Sequence, residues 1–362
     1  MDIKVLEAYY AAKKLKRQQH PTEPLFIWNY SETTQFKRLW DNVTLQCRAL
    51  VTDTNGNIVA RSFPKFFNED EVPYKATKTW KAYEKLDGSL GLLFFFRGEW
   101  IFSSRGSFTS EQARKGRQIL EDQHGGIFSR LEKNVAYTFE IIYPGNRIVV
   151  DYGQEEKVVF LAAFDRAGVE HTDEARAVMV HAGVPVVREV SFPPETTLRD
   201  LLGHDRLNEE GYVVQFTDGK RVKIKFPRYV ALHKIMSNVT HEFVLQCYKD
   251  RVKALGADDL PALEDTPAVS VPDELQLWVK QVWDRIAAEH ARLRSDFEVE
   301  YHNAHAAAVK ESGKLAKGFY NRGVFARVAA SSCYKSAMFA RLDGRPHQPM
   351  LVNLIQVADI EK

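Results

Sequence analysis

The stretch "EKLDGSLGLLFFF", residues 84–96, places a lysine, an aspartate and a glycine at the start of an apolar run that predicts a buried strand. Most lysines before a strand are solvated surface residues. Lys85 differs because Gly88 permits close backbone approach and the following strand is too apolar for a sheet edge. Only a neutral amine is nucleophilic, and near pH 7 only about one ordinary lysine in 10³ is neutral. Nearby cations or a metal ion are therefore expected to assist such a lysine.

Length and composition limit the classes of protein that this chain can belong to. Its 362 residues, 44% hydrophobic and 27% charged, predict a globular protein of two domains. No apolar run approaches the roughly 20 residues that span a bilayer, and no signal-peptide core is seen. An odd set of three distant cysteines predicts a reducing compartment, which we take to be the cytoplasm. The lack of a long apolar run predicts no membrane attachment. The net charge of +2 means that any nucleic acid would bind in a local basic groove.

The chain has two textures. From about residue 25 to 235, short β-branched and aromatic runs predict strands, with hairpins at "DTNGN" (53–57), Arg97-Gly98 and Asp218-Gly219. Further strands are predicted at "AYTFEII", "RIVVDY" and "VVFLAAFD", and helices at "SEQARKGRQILEDQ" and "TDEARAVMVHAG". From 239 to 362 helical periodicity dominates, in "FVLQCYKDRVKAL", in the long segment from Asp273 to Glu300, and in "VFARVAASSCYKSAMFARL".

Five motifs in order extend the lysine signal. Lys-x-Asp-Gly at Lys85 is followed by "SSRGSF" (103–108), "FEIIYPGNRIVVDY" (139–152), "EEGYVVQF" (209–216) and "VKIKF" (222–226). The set resembles the nucleophile, glycine, central glutamate, Glu-Gly and closing Lys-x-Lys motifs of covalent nucleotidyltransferases. Together with "CRALV", "PKFFNEDE" and "SEQA", it is similar to the RNA ligase 1 family of T-even phages over roughly residues 45–235. Arg105 departs from the family, which usually has lysine there, so its phosphate or RNA contact is an open question.

The resemblance implies a fold and a reaction. The fold would be α+β, with an antiparallel-sheet, ATP-grasp-like nucleotidyltransferase domain at 1–238 and an all-α RNA-specificity domain at 239–362. The enzyme would use ATP and Mg²⁺ or Mn²⁺ to join RNA 5′-phosphate and 3′-hydroxyl ends through a lysyl-AMP intermediate and adenylated RNA. The family suggests broken tRNA as the substrate, a monomer as the active form, and a bacteriophage protein acting in the host cytoplasm.

The resemblance also assigns roles to residues. Lys85 would be the nucleophile, Lys223 and Lys225 would contact the α-phosphate, and Glu210 would hold the metal. The other expected nucleotide contacts are Arg48 and Glu140 at the ribose, Lys65 at the outer phosphates, Leu86 at adenine through its backbone, Gly88 and Gly211 through close backbone approach, and Arg105. Lys223 and Lys225 alternate with Val222 and Ile224 and should share one strand face.

Several alternatives stay open beside this interpretation. An mRNA capping guanylyltransferase or a DNA ligase would share the motifs, but both follow the closing lysine motif with an all-β domain. A decayed RNA-binding relative is disfavoured because the five central motif residues are intact. His302 and His305, with His290 upstream, lack a partner at zinc spacing, so a metal site there is disfavoured. Trp278 and Trp283 lie on an apolar stripe and are predicted to be core residues rather than base-stacking platforms.

Overall fold

A computed structural model describes residues 1–71, 79–256, 260–271, 273–311 and 322–360. The chain divides into two compact units, Met1–Met236 and Ser237–Lys362, which we call the strand unit and the helical unit. Within the described ranges, no helix has the length and apolar character needed to cross a membrane.

The strand unit contains three sheets, ordered β1-β2-β3-β4, β10-β9-β7-β8 and β11-β6-β12-β13-β5. Neighbouring strands pair antiparallel except β13 and β5, which pair parallel. The strands are β1 Leu15–Gln19, β2 Leu25–Tyr30, β3 Arg48–Asp53, β4 Ile58–Ala60, β5 Phe67–Asn68, β6 Trp80–Lys85, β7 Ser89–Phe96, β8 Glu99–Ser104, β9 Val135–Ile142, β10 Lys157–Asp165, β11 Glu189–Val190, β12 Gly211–Phe216 and β13 Arg221–Lys225.

Helices cover the sheets of the strand unit and make up the regular structure described in the helical unit. Those of the strand unit are α1 Ile3–Ala11, α2 Glu32–Phe36, α3 Asn42–Gln46, α4 Glu111–His124, α5 Thr172–His181, α6 Leu198–Leu202 and α7 Pro227–Met236. Those of the helical unit are α8 His241–Leu255, α9 Asp273–Glu311, α10 Arg322–Val328, α11 Lys335–Leu342, α12 Gln348–Val352 and α13 Val357–Ile360. The protein is therefore α+β, with antiparallel sheets followed by a helical region.

The sheets of the strand unit bury their apolar faces in separate layers. The first two sheets face each other across a core that contains Ile27, Val51, Leu92 and Phe94. The opposite face of the second sheet packs under α4 and α5 in a core that includes Phe139. The third sheet has its own core, formed with α6 and α7. The largest buried side chains of this core are Tyr212, Phe216, Phe226 and Tyr229. The strand ends that carry the motifs therefore rest on fully packed layers.

The three predicted hairpins are confirmed as β3–β4, β7–β8 and β12–β13. The predicted strand "RIVVDY" is wrong, because residues 147–152 form bends and irregular backbone. The backbone N–H groups of Val149 and Val150 donate to a carboxylate oxygen of Asp87, each at 2.8 Å, instead of to a neighbouring strand. A side chain about 60 positions away therefore takes the place of a strand ladder here.

The helical unit packs around the apolar stripe that its sequence predicts. Val279, Trp283, Ile286 and Phe297 of α9 are buried, and Trp278 is half-buried beside His241. The predicted helix at 324–342 is instead broken, with a 3₁₀ turn at Ala329–Ser331 between α10 and α11. The Ser332 hydroxyl accepts the N–H of Tyr334 and so competes with helical hydrogen bonding.

Candidate active site

Three adjacent strands bring the lysine and Glu-Gly motifs together. Gly211, the first residue of β12, lies opposite Lys85 of β6 on one side and Lys225 of β13 on the other. Glu210 immediately precedes this strand, so its side chain enters the same end of the sheet. We call Lys85, Glu210 and Lys225 the charged row. Residues more than 120 positions apart in the sequence become neighbours because strand register fixes which residues face each other.

The charged row is an ion-pair network that is largely removed from solvent. One Glu210 oxygen lies 2.6 Å from the Lys85 amine and 3.3 Å from the Lys225 amine. The side chains of Glu210, Lys225 and Lys85 are only 3%, 10% and 18% exposed. Burying charges in this way costs free energy that their mutual attraction barely offsets, so the arrangement is weakly explained by stability alone. It can place two cations beside a phosphate and an amine in position to attack it.

Glycine is required at two positions around the row. Gly211 has φ +148°, and an added Cβ would lie 2.0 Å from the carbonyl oxygen of Ile224. An added Cβ on Gly88 would lie 2.5 Å from the carbonyl oxygen of Ile141 and 3.1 Å from Glu140 Cγ. Both glycines therefore permit backbone packing that any side chain would obstruct.

Glu140 lies on β9 with its side chain partly exposed but surrounded by protein on most sides. Burial raises the pKa of Glu140 to about 8, and the nearby negative charges of Glu210 and Asp87 act in the same direction. The positive charges of Lys85 and Arg48 oppose this rise in pKa. These couplings place Glu140 among the other predicted site residues and show that its ionised form is disfavoured.

Asp87 is a structural centre of the site that the predicted residue set omitted. Its carboxylate accepts hydrogen bonds from Val149 N, Val150 N and the Tyr229 hydroxyl, each at 2.8 Å, and its own N–H donates to the Tyr152 hydroxyl. The Lys225 amine also lies 5.4 Å from the centre of the Tyr229 ring. Asp87 therefore ties the loop after Lys85 to α7 and to the segment after β9. Its signal in the sequence was its place in the Lys-x-Asp-Gly pattern.

Lys65 and Arg105 both approach the ring of Tyr30. The buried Lys65 amine lies 5.3 Å from each of the ring centres of Tyr30, Trp40 and Phe67. The Arg105 guanidinium lies 5.7 Å from the Tyr30 ring on an exposed loop. Aromatic faces attract cations, so this cage holds the Lys65 charge in a defined place.

The remaining predicted residues take distinct positions. Arg48 begins β3, with its guanidinium 5.5 Å from the Phe66 ring, and its charge acts on Glu140. Leu86 packs against the cluster that contains Ile142. Lys223 and Lys225, both less buried than their neighbours, alternate with two buried residues of β13, Val222 and Ile224, so the predicted common face of the two lysines is confirmed.

The metal-binding capacity of the described side chains is limited. Across the described ranges, no group of three or more His, Cys, Asp or Glu side chains could hold a metal ion by itself. His290 is buried beside Tyr248, whereas His302 is exposed. A single carboxylate such as Glu210 suits Mg²⁺, which keeps several waters and binds substrate phosphates together with one or two carboxylates.

Comparisons with known proteins find a matching family and individual relatives. A family model described as RNA ligase matches residues 46–229, from the start of the site to α7. A Thermovibrio ammonificans protein named as an RNA ligase is 25% identical over 282 residues, which cover 73% of each chain. A protein of Autographa californica nuclear polyhedrosis virus, named as a bifunctional polynucleotide kinase/RNA ligase, is 26% identical over 256 residues. That match covers 62% of this chain but only 35% of the viral protein.

Solved structures give weaker likeness. An archaeal ATP-dependent RNA ligase aligns with a TM-score of 0.44 and 14% identity, over 68% of this chain and 64% of that one. A mutant Naegleria gruberi RNA ligase with ATP and Mn aligns with a TM-score of 0.38 and 16% identity, over 43% of this chain and 51% of that one. Likeness at this level adds nothing to the family match.

Proposed function

Because this chain belongs to the RNA ligase family, as its motifs predicted, we propose that it is an ATP-dependent RNA ligase. The observation that carries the proposal is the charged row, in which Lys85 and Lys225 meet at Glu210 with little exposure to solvent. The strand unit would be the ATP-grasp-like adenylylation domain, since its antiparallel strands carry or adjoin all five motifs.

The proposed reaction has three steps. The Lys85 amine attacks the α-phosphorus of ATP, so that a P–N bond forms, the bond to pyrophosphate breaks and the amine loses a proton. An oxygen of the RNA 5′-phosphate then attacks the same phosphorus, and the P–N bond breaks as adenylated RNA forms. Finally the RNA 3′-hydroxyl attacks the 5′-phosphate, AMP leaves and a phosphodiester remains. Each step depends on alignment and on neutralising phosphate charge.

The side chains support this sequence of steps through their positions. Lys223 and Lys225, on one face of β13, would contact the α-phosphate. The caged Lys65 would address the outer phosphates, with Arg48 and Glu140 at the ribose and the Leu86 backbone at adenine. Gly88 and Gly211 would let the nucleotide approach the backbone.

A divalent metal ion fits beside the charged row. Glu210 would hold Mg²⁺ or Mn²⁺ directly or through water, together with phosphate oxygens of the nucleotide. When bound, the ion would neutralise phosphate charge. The Lys85 amine would face the α-phosphate.

The substrate belongs to the proposal as well. The family suggests RNA with 5′-phosphate and 3′-hydroxyl ends, such as a tRNA nicked in its anticodon loop. We propose that the helical unit selects this RNA, and that the protein acts as a monomer in the cytoplasm, that of the host cell if it is viral. The helical fold after α7 favours this assignment over capping enzymes and DNA ligases, which carry an all-β domain there.

Two measurements test the proposed function. The protein is incubated with labelled ATP or GTP and Mg²⁺ or Mn²⁺, and covalent label that remains on the denatured protein is measured. Label from ATP is expected, whereas label from GTP would indicate a capping enzyme and no label would indicate a decayed domain. Sealing of nicked tRNA is then compared with sealing of linear single-stranded RNA and of nicked DNA. Equal sealing of nicked DNA would contradict the RNA assignment.

A further inference from the structure

A buried asparagine connects two segments of the site. Asn29 of β2 is 7% exposed, and both ends of its side-chain amide are used. Its Oδ1 accepts the N–H of Ala49 at 3.0 Å, and its Nδ2 donates to the carbonyl of Arg105 at 2.8 Å. The reversed amide would set a donor against a donor and an acceptor against an acceptor, so only one orientation fits.

The Ala49 contact supports a β-bulge beside Arg48. Trp28 pairs with Leu50 and Asn29 pairs with Arg48, which leaves Ala49 as the extra residue between them. Ala49 is fully buried and has φ +56°, a left-handed conformation that costs free energy for a residue with a side chain. The Asn29 oxygen accepts the N–H of this bulged residue and so helps to hold the strained bulge next to Arg48.

The Arg105 contact anchors a loop by its backbone. The loop is closed at its base by Ser104 N, which donates to the Ser107 carbonyl at 2.9 Å. Asn29 binds the carbonyl at the loop's tip and lies 3.6 Å from where a Cβ on Gly106 would be. The Arg105 side chain itself is exposed. The hydrogen bond to its backbone carbonyl therefore fixes the position from which the side chain extends and does not use the guanidinium group.

We propose that Asn29 is a positioning residue for nucleotide transfer, acting through the Arg105 loop and, second, through the bulge at Ala49. The inference rests on the proposed function, since Arg105 is taken to contact phosphate or RNA.

The test is a double-mutant cycle between Asn29 and Arg105. Asn29→Asp keeps the acceptor for Ala49 but replaces the donor with an oxygen facing the Arg105 carbonyl. We expect about a tenfold loss of rate, in the same step, lysyl-AMP formation or sealing of pre-adenylated RNA, in which Arg105→Ala loses rate. In the Arg105→Ala background, Asn29→Asp should cost less than twofold, because the side chain that it positions is already absent.

Two further variants control for charge and folding. Asn55→Asp makes the same chemical change at the exposed tip of the β3–β4 hairpin and should leave both rates unchanged. Asn29→Ser removes the amide without adding charge and replaces Asn29→Asp in the cycle if thermal melting shows that the aspartate variant does not fold. Because serine also loses the Ala49 contact, part of its rate loss should persist in the Arg105→Ala background, but the combined loss should stay smaller than the product of the two single losses.

The outcomes separate the inference from the proposed function. A wild-type rate in the Asn29 variant, or losses that multiply with that of Arg105→Ala, would overturn the positioning role while leaving the ligase assignment intact. An unmodified wild-type protein that forms no lysyl-AMP would instead overturn the proposed function.

Discussion

The two units each bury a polar cluster, but the clusters differ in charge. In the strand unit, the charged row buries one carboxylate, one oxygen of which lies within 3.3 Å of each of two amines. In the helical unit, the Tyr248 hydroxyl meets the ring of His290 at 3.2 Å, near Gln348. Both clusters are largely hidden from water, so burial alone does not separate a reactive site from a packed interior.

Charge makes the difference between them. Burial, and then the positive charge of Arg294, lowers the pKa of His290 to about 4, so this ring is neutral near pH 7. Neutral hydrogen-bonded groups add to the stability of a core, whereas buried ion pairs are often no more stable than apolar replacements. We infer that the charged row persists for chemistry and that the His290 cluster persists for packing. Each prediction below tests one side of this contrast.

Lys85→Ala should have the largest effect. It should abolish formation of the covalent protein–AMP adduct, because it removes the amine that forms the P–N bond. Sealing of RNA supplied with a 5′-adenylate should continue, since that step needs no lysine nucleophile. Lys81→Ala, an exposed lysine on the same strand, is the matched control and should label normally. Ordinary ATP-dependent labelling of Lys85→Ala would show that the nucleophile lies elsewhere.

Lys225→Ala should have the next largest effect. The variant loses a cation at the α-phosphate and also the second partner of Glu210, which then pairs with Lys85 alone. Loss of one preorganised cation or donor typically costs about 10²–10³ in rate. Single-turnover adenylylation measures this loss, with the exposed Lys220→Ala as the control for charge. A rate within a few-fold of wild type would place Lys225 outside the chemistry.

Lys65→Ala should affect one step selectively. In the proposed mechanism its caged amine stabilises the outer phosphates, which leave as pyrophosphate in the first step and are absent from the third. Self-adenylylation should therefore fall about 10- to 100-fold while sealing of pre-adenylated RNA stays near normal. Both rates are measured on one preparation, with thermal melting as the folding control. Equal losses in both steps would mean that the Lys65 cage supports the RNA or the fold.

The sequence located the candidate site residues better than it predicted how these residues meet in the fold. The members of the charged row each lie in a motif, and local alternation correctly put Lys223 and Lys225 on one face. Their meeting at Glu210 depends on the register of β6, β12 and β13, which no local pattern encodes. The failed strand at 147–152 has the same cause, because the Asp87 carboxylate that binds its backbone lies about 60 positions away.

Some site residues left no sequence signal at all. Asn29 lies in an ordinary strand pattern, and only the bulge at Ala49 and the Arg105 loop reveal what its amide binds. Tyr229 falls in a helix after the closing motif, and its contact with Asp87 spans 142 positions. Contacts of this length depend on the completed packing of the sheet, so periodicity and motif spacing cannot predict them.

His290→Gln should have the smallest effect on activity and a pH-dependent effect on stability. The folded-state pKa of His290, about 4, lies below the unfolded value near 6.5. Between these values the unfolded chain binds more protons, so the wild-type helical unit loses stability as the pH falls from 6.5 toward 4. By pH 4.5 the loss from this group should be about 2 kcal/mol. Glutamine cannot take up a proton in this range and should remove that part of the slope.

Hydrogen exchange of the α8 and α9 amides is compared between variant and wild type at the same pH. Because intrinsic exchange rates then cancel, the comparison isolates the contribution of His290 to the stability of the helical unit. At pH 7 the variant should be slightly less stable, having exchanged the ring that contacts Tyr248, and this deficit should shrink or reverse by pH 4.5. Lysyl-AMP formation at pH 7 should stay within about twofold of wild type, since the neutral cluster takes no part in phosphoryl transfer. A stability difference that is constant with pH would show that His290 is not buried in its neutral form. A large loss of adenylylation would break the contrast between the two clusters.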